Sequence, residues 1–213
     1  MYLHNDREVF EQLIAATSTK LSIEPTIVEK DYFVTITLGE LNKKSELIVE
    51  TYIGILPYPT EVRLVDNYIH QFLAEEGLDG IAEQYGLMPF KMKVQDVRRT
   101  LIDKVFAICD YYMDGKIEKH SRHIYDIHMI LPMVVLDDEF KNLVNEVRNI
   151  RKNFASCPSA ADGIDVNQLL DEIIKKECYK EDYQNITENI LFETITYQIA
   201  VQGIISILNK NIF

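Results

Sequence analysis

The chain has no apolar run approaching the about 18 residues that a membrane-spanning helix needs, and no charged-then-apolar leader pattern at its N-terminus. Both absences predict a soluble, cytoplasmic protein without a membrane partner. Positive charge is in deficit: 22 Lys and Arg stand against 34 Asp and Glu, a formal net charge of -12. Broad, non-specific affinity for nucleic acid rests on neutralising phosphates, so this balance argues against it while leaving room for a local basic patch. Cysteine is scarce. The three present, Cys109, Cys157 and Cys178, are far apart with no paired spacing, which predicts reduced thiols. Low-complexity tracts and internal repeats are missing. So are a Walker loop, a dinucleotide fingerprint and any Ser-His-Asp arrangement that chain order supports. What remains is an ordinary globular composition, 213 residues with 47% hydrophobic, enough for one large domain or two small lobes.

Hydrophobic spacing predicts mostly helix. Glu8 to Lys20 is amphipathic around Val9, Leu13 and Ala16, and Pro25 suits the first turn of a second helix using Ile27, Val34, Leu38 and Leu41. Phe33 to Thr37 is rich in β-branched residues, but length and the Pro25 start favour helix there. Asn42 to Ser45 is a polar turn, and Glu46 to Leu56 alternates as a strand, with Pro57 and Pro59 ending it. Val62, Val65, Ile69 and Phe72 predict a helix from Thr60 to Glu76. Gly77, Gly80 and Gly86 then punctuate a loop or broken helix. Pro89 to Val97 alternates as a half-solvated strand. Further helices are expected at Asp137–Lys152, Gln168–Glu177 and, long and apolar, Ile186–Leu208.

The most informative stretch is Arg98 to Leu131. Leu101, Val105, Ile108 and Tyr112 form a core stripe, widened by Ile102, Phe106, Cys109 and Met113. Lys104 falls at the edge of this stripe, where a lysine can pack its stem and keep its ammonium in water. Gly115 suits the stop, Ser121 is the expected N-cap of the next helix, and Pro132 breaks that helix. Arg122 and Asp126 are four apart, the spacing of an ordinary intrahelical ion pair, and His123 precedes Asp126 by three. His120, His123, Asp126 and His128 invite a metal reading, but only His123 and Asp126 share a face, so no metal site is expected. Lys91, Lys93, Arg98, Arg99, Lys116, Lys119 and Arg122 form a basic face only if the fold makes them converge.

Three runs carry a resemblance: T-L-I-D-K-V-F-A-I at Thr100–Ile108, S-R-H-I-Y-D-I at Ser121–Ile127, and E-K-D-Y at Glu29–Tyr32. Together they resemble signatures of the AbiEii/AbiGii toxin family, nucleotidyltransferase-like proteins of bacterial abortive-infection and toxin–antitoxin systems. Asp182-Tyr183 and Leu208-Asn209 resemble the family's closing helices. The resemblance covers most of the chain and implies that Lys104 contacts nucleotide phosphate and that Asp126 is a base or orienter. Arg122 and His123 would stand beside them, and Lys30 and Asp31 would face the cleft. By chemistry alone the E-K-D-Y run is a charged, solvated helix face.

A nucleotidyltransferase also needs a Gly-Gly or Gly-Ser turn to cradle triphosphate and an Asp-x-Asp pair to hold two magnesium ions. In the family these follow the E-K-D-Y helix. Here Leu41 passes through Asn42-Lys43-Lys44-Ser45 straight into the next strand, and neither motif occurs anywhere. The expected fold is therefore α+β, predominantly helical, with a small sheet packed against a helical bundle in a truncated nucleotidyltransferase-like architecture. Strands around Val49 and Met92 would form the sheet. An N-terminal α+β lobe would span 1–97 and a helical lobe 98–213. The expected function is a catalytically incomplete binding or regulatory module in defence. The alternative is an active nucleotidyltransferase, transferring from NTP to RNA or protein, completed by a second chain or unrecognised carboxylates. Mg2+ and NTP are cofactors only in that second case. Expected partners are a second copy of the chain, an antitoxin or a second nucleotidyltransferase chain.

Overall fold

A computed structural model describes residues 1–43, 59–191 and 194–213. Asp6 caps the first helix, α1 (Arg7–Leu21), by accepting from the Val9 amide at 3.4 Å. The next, α2 (Pro25–Lys43), begins on Pro25, whose missing N–H would be unpaired in a first turn anyway. Helix continues through Phe33–Thr37, so length outweighs the β-branched composition. The strand expected at Glu46–Leu56 lies outside the described residues.

The helix expected from Thr60 to Glu76 is two elements. Thr60–Val65 is a strand, β1, and only Tyr68–Glu75 is helix, α3. Val62, Val65, Ile69 and Phe72 do fit helical spacing, but Val62 and Leu64 fit a period of two equally well over so short a run. Asn67 sets the boundary, its side chain accepting from the His70 amide at 2.9 Å as an N-cap. After α4 (Asp79–Tyr85), Gly86 takes the left-handed conformation that glycine reaches without penalty, φ 65°. Strand β2 (Phe90–Gln95) then pairs with β1 in a two-stranded antiparallel sheet. In the described sheet, β1 therefore takes the place expected for a strand around Val49.

The remaining helices are α5 (Val97–Met113), α6 (Arg122–Ile130), α7 (Asp138–Arg151) and α8 (Val166–Lys175). Pro132 opens a short 3-10 turn that ends α6's run. The long helix expected from Ile186 to Leu208 is interrupted. Two short turns, α9 (Lys180–Asp182) and α10 (Glu188–Ile190), flank a π turn at Tyr183–Thr187, and α11 starts afresh at Tyr197 and runs to Lys210. Leu191 and Thr196 are extended, with ψ 142° and 156°.

Two compact units result, one from residues 1–43 and Glu61–Val94, the other centred on Gln95–Phe213. Each has its own core. Phe10, Val28, Tyr32, Ile69 and Leu73 anchor the first. Leu101, Val105, Phe106, Ile108, Ile124, Phe140 and Ile204 anchor the second, with Val105, Phe106 and Ile108 fully buried as their spacing predicted. The chain is thus α+β and predominantly helical. No helix among the described residues is long and apolar enough to cross a membrane, and the three cysteines are free thiols.

Candidate functional site

Helix α5 carries two polar stripes beside its apolar one, each with a spacing of seven that returns to the same side. Lys104 and Tyr111 lie on one, Asp103 and Asp110 on the other. The first stripe meets the start of α6. There Lys104 Nζ donates to Asp126 Oδ2 at 2.8 Å and lies 3.4 Å from His123 Nδ1, which in turn is 3.5 Å from Asp126 Oδ2. One ring nitrogen serves one partner at a time: protonated, Nδ1 donates to Asp126, and unprotonated, it accepts from Lys104. Burial pushes the Asp126 carboxyl up, but hydrogen bonds from His123 and Lys104, together with their charges, outweigh burial and hold it below the usual carboxylate value.

The ion pair expected between Arg122 and Asp126 does not form among the described residues. Arg122 is exposed, whereas Asp126 turns inward to the lysine across the helix interface. Beside the cluster, rings align. Tyr111 stacks on His120 with centroids 3.5 Å apart and is parallel to His123 at 5.9 Å. The pKa of His120 is lowered by burial, by the neighbouring His123 and by Arg122, so a neutral imidazole faces the phenol.

Ser121 holds the expected N-cap position of α6, but its side chain does not cap. Its backbone is already helical (φ -61°, ψ -22°), which turns the side chain away from the first-turn amides, and its hydroxyl pairs with Thr187 at 2.7 Å. Asp182 secures the entry to the helix, accepting from the Lys119 amide at 2.7 Å and the Ser121 amide at 3.1 Å. A carboxylate here also suits the positive end of the helix dipole. The close seat of α6 against α11 depends on Gly203, where an added Cβ would stand 3.1 Å from the His128 Cα.

The second stripe of α5 builds a network that sequence reasoning missed. Arg151 bridges Asp103 and Asp110, each at 2.9 Å, and its guanidinium lies over the Phe106 ring. Arg99, only 1% exposed, pairs with Asp103 at 2.9 Å, and Ser159 donates both its amide and its hydroxyl to Asp110. Arg99 is therefore no part of a basic face. Arg98 closes on Asp96 at 2.7 Å and Lys116 on Asp114 at 2.9 Å, so these candidate cations are answered locally.

Lys30 and Asp31 belong to the N-terminal unit. Lys30 is exposed. The Asp31 carboxylate accepts from the Tyr68 amide at 2.8 Å and so fixes the start of α3, and burial pushes its pKa up. The structure thus brings Lys104, His123 and Asp126 together, with Arg122 at the rim. The clue available for Tyr111 was its position seven residues after Lys104. Asp182 gave no local clue, since 61 positions separate it from Ser121.

The lysine–aspartate–histidine cluster on α5 and α6 thus sits in a helix-rich α+β chain. The chain belongs to the nucleotidyl transferase AbiEii toxin family of type IV toxin–antitoxin (TA) systems, whose profile matches residues 4–203. No curated protein and no solved structure matches the chain. The cluster offers a single carboxylate, already bonded to Lys104, and among the described residues no three His, Cys, Asp or Glu side chains are grouped to hold a metal ion. That donor set does not fit the paired magnesium ions of nucleotidyl transfer.

Proposed function

We propose that this chain is a catalytically incomplete member of its family, a binding or regulatory module of a bacterial defence system with an antitoxin as its protein partner. The observation that carries the reading is the pairing of Lys104 with Asp126 at 2.8 Å in a sequence that lacks both the Gly-Gly turn and the Asp-x-Asp pair. Lys104 is a point charge fixed in direction by Asp126 and His123. An incoming phosphate competes with Asp126 for that ammonium and gains Arg122 at the rim. Such an exchange supports weak, salt-sensitive nucleotide binding, but it cannot align an attacking hydroxyl or neutralise charge on a transferring phosphate.

The test is incubation of the purified chain with each labelled triphosphate, magnesium or manganese, and bulk RNA or candidate proteins, alongside Lys104→Ala. No label transfer, with weak triphosphate binding that Lys104→Ala removes, is the expected result. Metal-dependent transfer abolished by Lys104→Ala would overturn the reading in favour of an active enzyme.

A further inference from the structure

Where α7 packs on α5 stands a cation that no carboxylate answers. Arg148 lies on α7 one turn before Arg151, and both guanidinium groups lie over the Phe106 ring, at 5.8 Å and 5.2 Å from its centroid. Arg151 closes on Asp103 and Asp110. Arg148 has no hydrogen-bond or ion-pair partner among the described residues, and two of its nitrogens, Nε and Nη2, are shut off from solvent. Arg151 Nε is in the same state. Three buried N–H nitrogens belonging to two arginines over one ring therefore lack an acceptor.

Phe106 does not supply it. An aromatic ring attracts a cation to its face, whereas the N–H bonds of a guanidinium lie in its plane and need acceptors around its rim. A buried donor without an acceptor is destabilising, and most of all when it carries charge. Asp103 and Asp110 cannot turn to Arg148 without leaving Arg151, and Asp103 also holds Arg99 while Asp110 accepts from Ser159. The missing acceptor has to come from outside.

Nε and Nη2 share one edge of the guanidinium, and their parallel N–H bonds match the two oxygens of a planar carboxylate. Arg148 is only partly buried as a residue, which leaves a way in from the surface. We propose that Arg148 binds the carboxylate of a small organic acid through this edge, with Arg151 Nε, over the same ring, as a further donor. The site lies where α5 meets α7, whereas Lys104 points to α6, and it does not depend on the Lys104 cluster.

Acetate and succinate, titrated into the full chain at constant ionic strength, are the probes, with chloride and inorganic phosphate as comparisons. The readouts are the arginine Nε–H NMR signals, that of Arg148 being the one absent from Arg148→Met, and thermal melting. We expect a saturable shift of the Arg148 signal and a melting temperature that climbs with carboxylate concentration. Arg148→Lys, which keeps the charge but not the paired edge, should bind at least tenfold more weakly. Arg148→Met, which keeps an apolar stem over Phe106 and removes the unpaired charge, should fold without loss of stability and show no response. Lys104→Ala should respond as wild type does. No saturable shift, an equal response in Arg148→Met, or a chloride or phosphate response as strong as that to carboxylate would overturn the site. So would a large loss of stability in ligand-free Arg148→Met, which would show the guanidinium already partnered, or a response lost in Lys104→Ala. The labelled-triphosphate test turns on Lys104, so failure of one reading is distinguishable from failure of the other.

Discussion

At Asp126, burial and hydrogen bonding act in opposite directions on one carboxyl, and the hydrogen bonds from His123 and Lys104 win. A folded-state pKa below the unfolded value of about 3.9 means that Asp126 stabilises the fold above that pH. The contribution fades as pH falls through the folded-state value. Asp126→Asn removes it, so the advantage of wild type over the variant in urea titrations should be full at neutral pH and shrink below about pH 4. An advantage that stayed constant under acid would show that the pair is not ionised as described. Asp31 has the opposite sign: its raised pKa makes its ionised form a cost that acid relieves. At Phe106, fully buried beneath the guanidinium groups of Arg148 and Arg151, truncation to alanine should cost about 3–5 kcal/mol. An unchanged melting temperature would contradict that burial.

Helix α6 is short, so its position depends on what braces it. Gly203→Ala sets about 1 kcal/mol of helix propensity against overpacking of about 1–3 kcal/mol. Because the atom met is the His128 backbone, which has nowhere to go, we expect net destabilisation by thermal melting. A gain in stability would mean that α11 can shift freely. Asp182→Ala leaves the two amides at the entry to α6 without their acceptor and should cost about 1–3 kcal/mol. It should also broaden or move the NMR signals of His123 and Asp126, whereas unmoved signals would show that the cap does not position the cluster. Most helices were legible from sequence because an apolar stripe such as Leu101–Val105–Ile108 is a local signal. β1 was not, since six residues satisfy both periods. Lys104 and Asp126 were legible through motifs, yet their pairing was not, because Arg122 offered the nearer partner at a standard spacing. Arg99 was misread and Arg151 overlooked for a similar reason: burial of an arginine depends on carboxylates that only the fold brings within 2.9 Å.

At the scale of the molecule, the described sheet has two strands, and Val62 and Leu64 on β1 are 63% and 64% exposed. Two large apolar side chains exposed side by side on one strand are a surface that a second copy can cover, and two-fold dimers are the commonest assemblies. We therefore expect light scattering to report a dimer whose dissociation follows Leu64→Lys, and a monomer at high concentration would remove the expectation. The cap on α6 has a different consequence, one of timing. At roughly 5–20 residues per second, the 61 positions from Ser121 to Asp182 take about 3–12 s to synthesise. For most of that interval, from the synthesis of Asp126 onward, Lys104, His123 and Asp126 are all present in the chain, but α6 has neither its capping carboxylate nor α11 behind it. The cluster is finished last, so a prematurely ended nascent chain carries every residue of the site and not its arrangement.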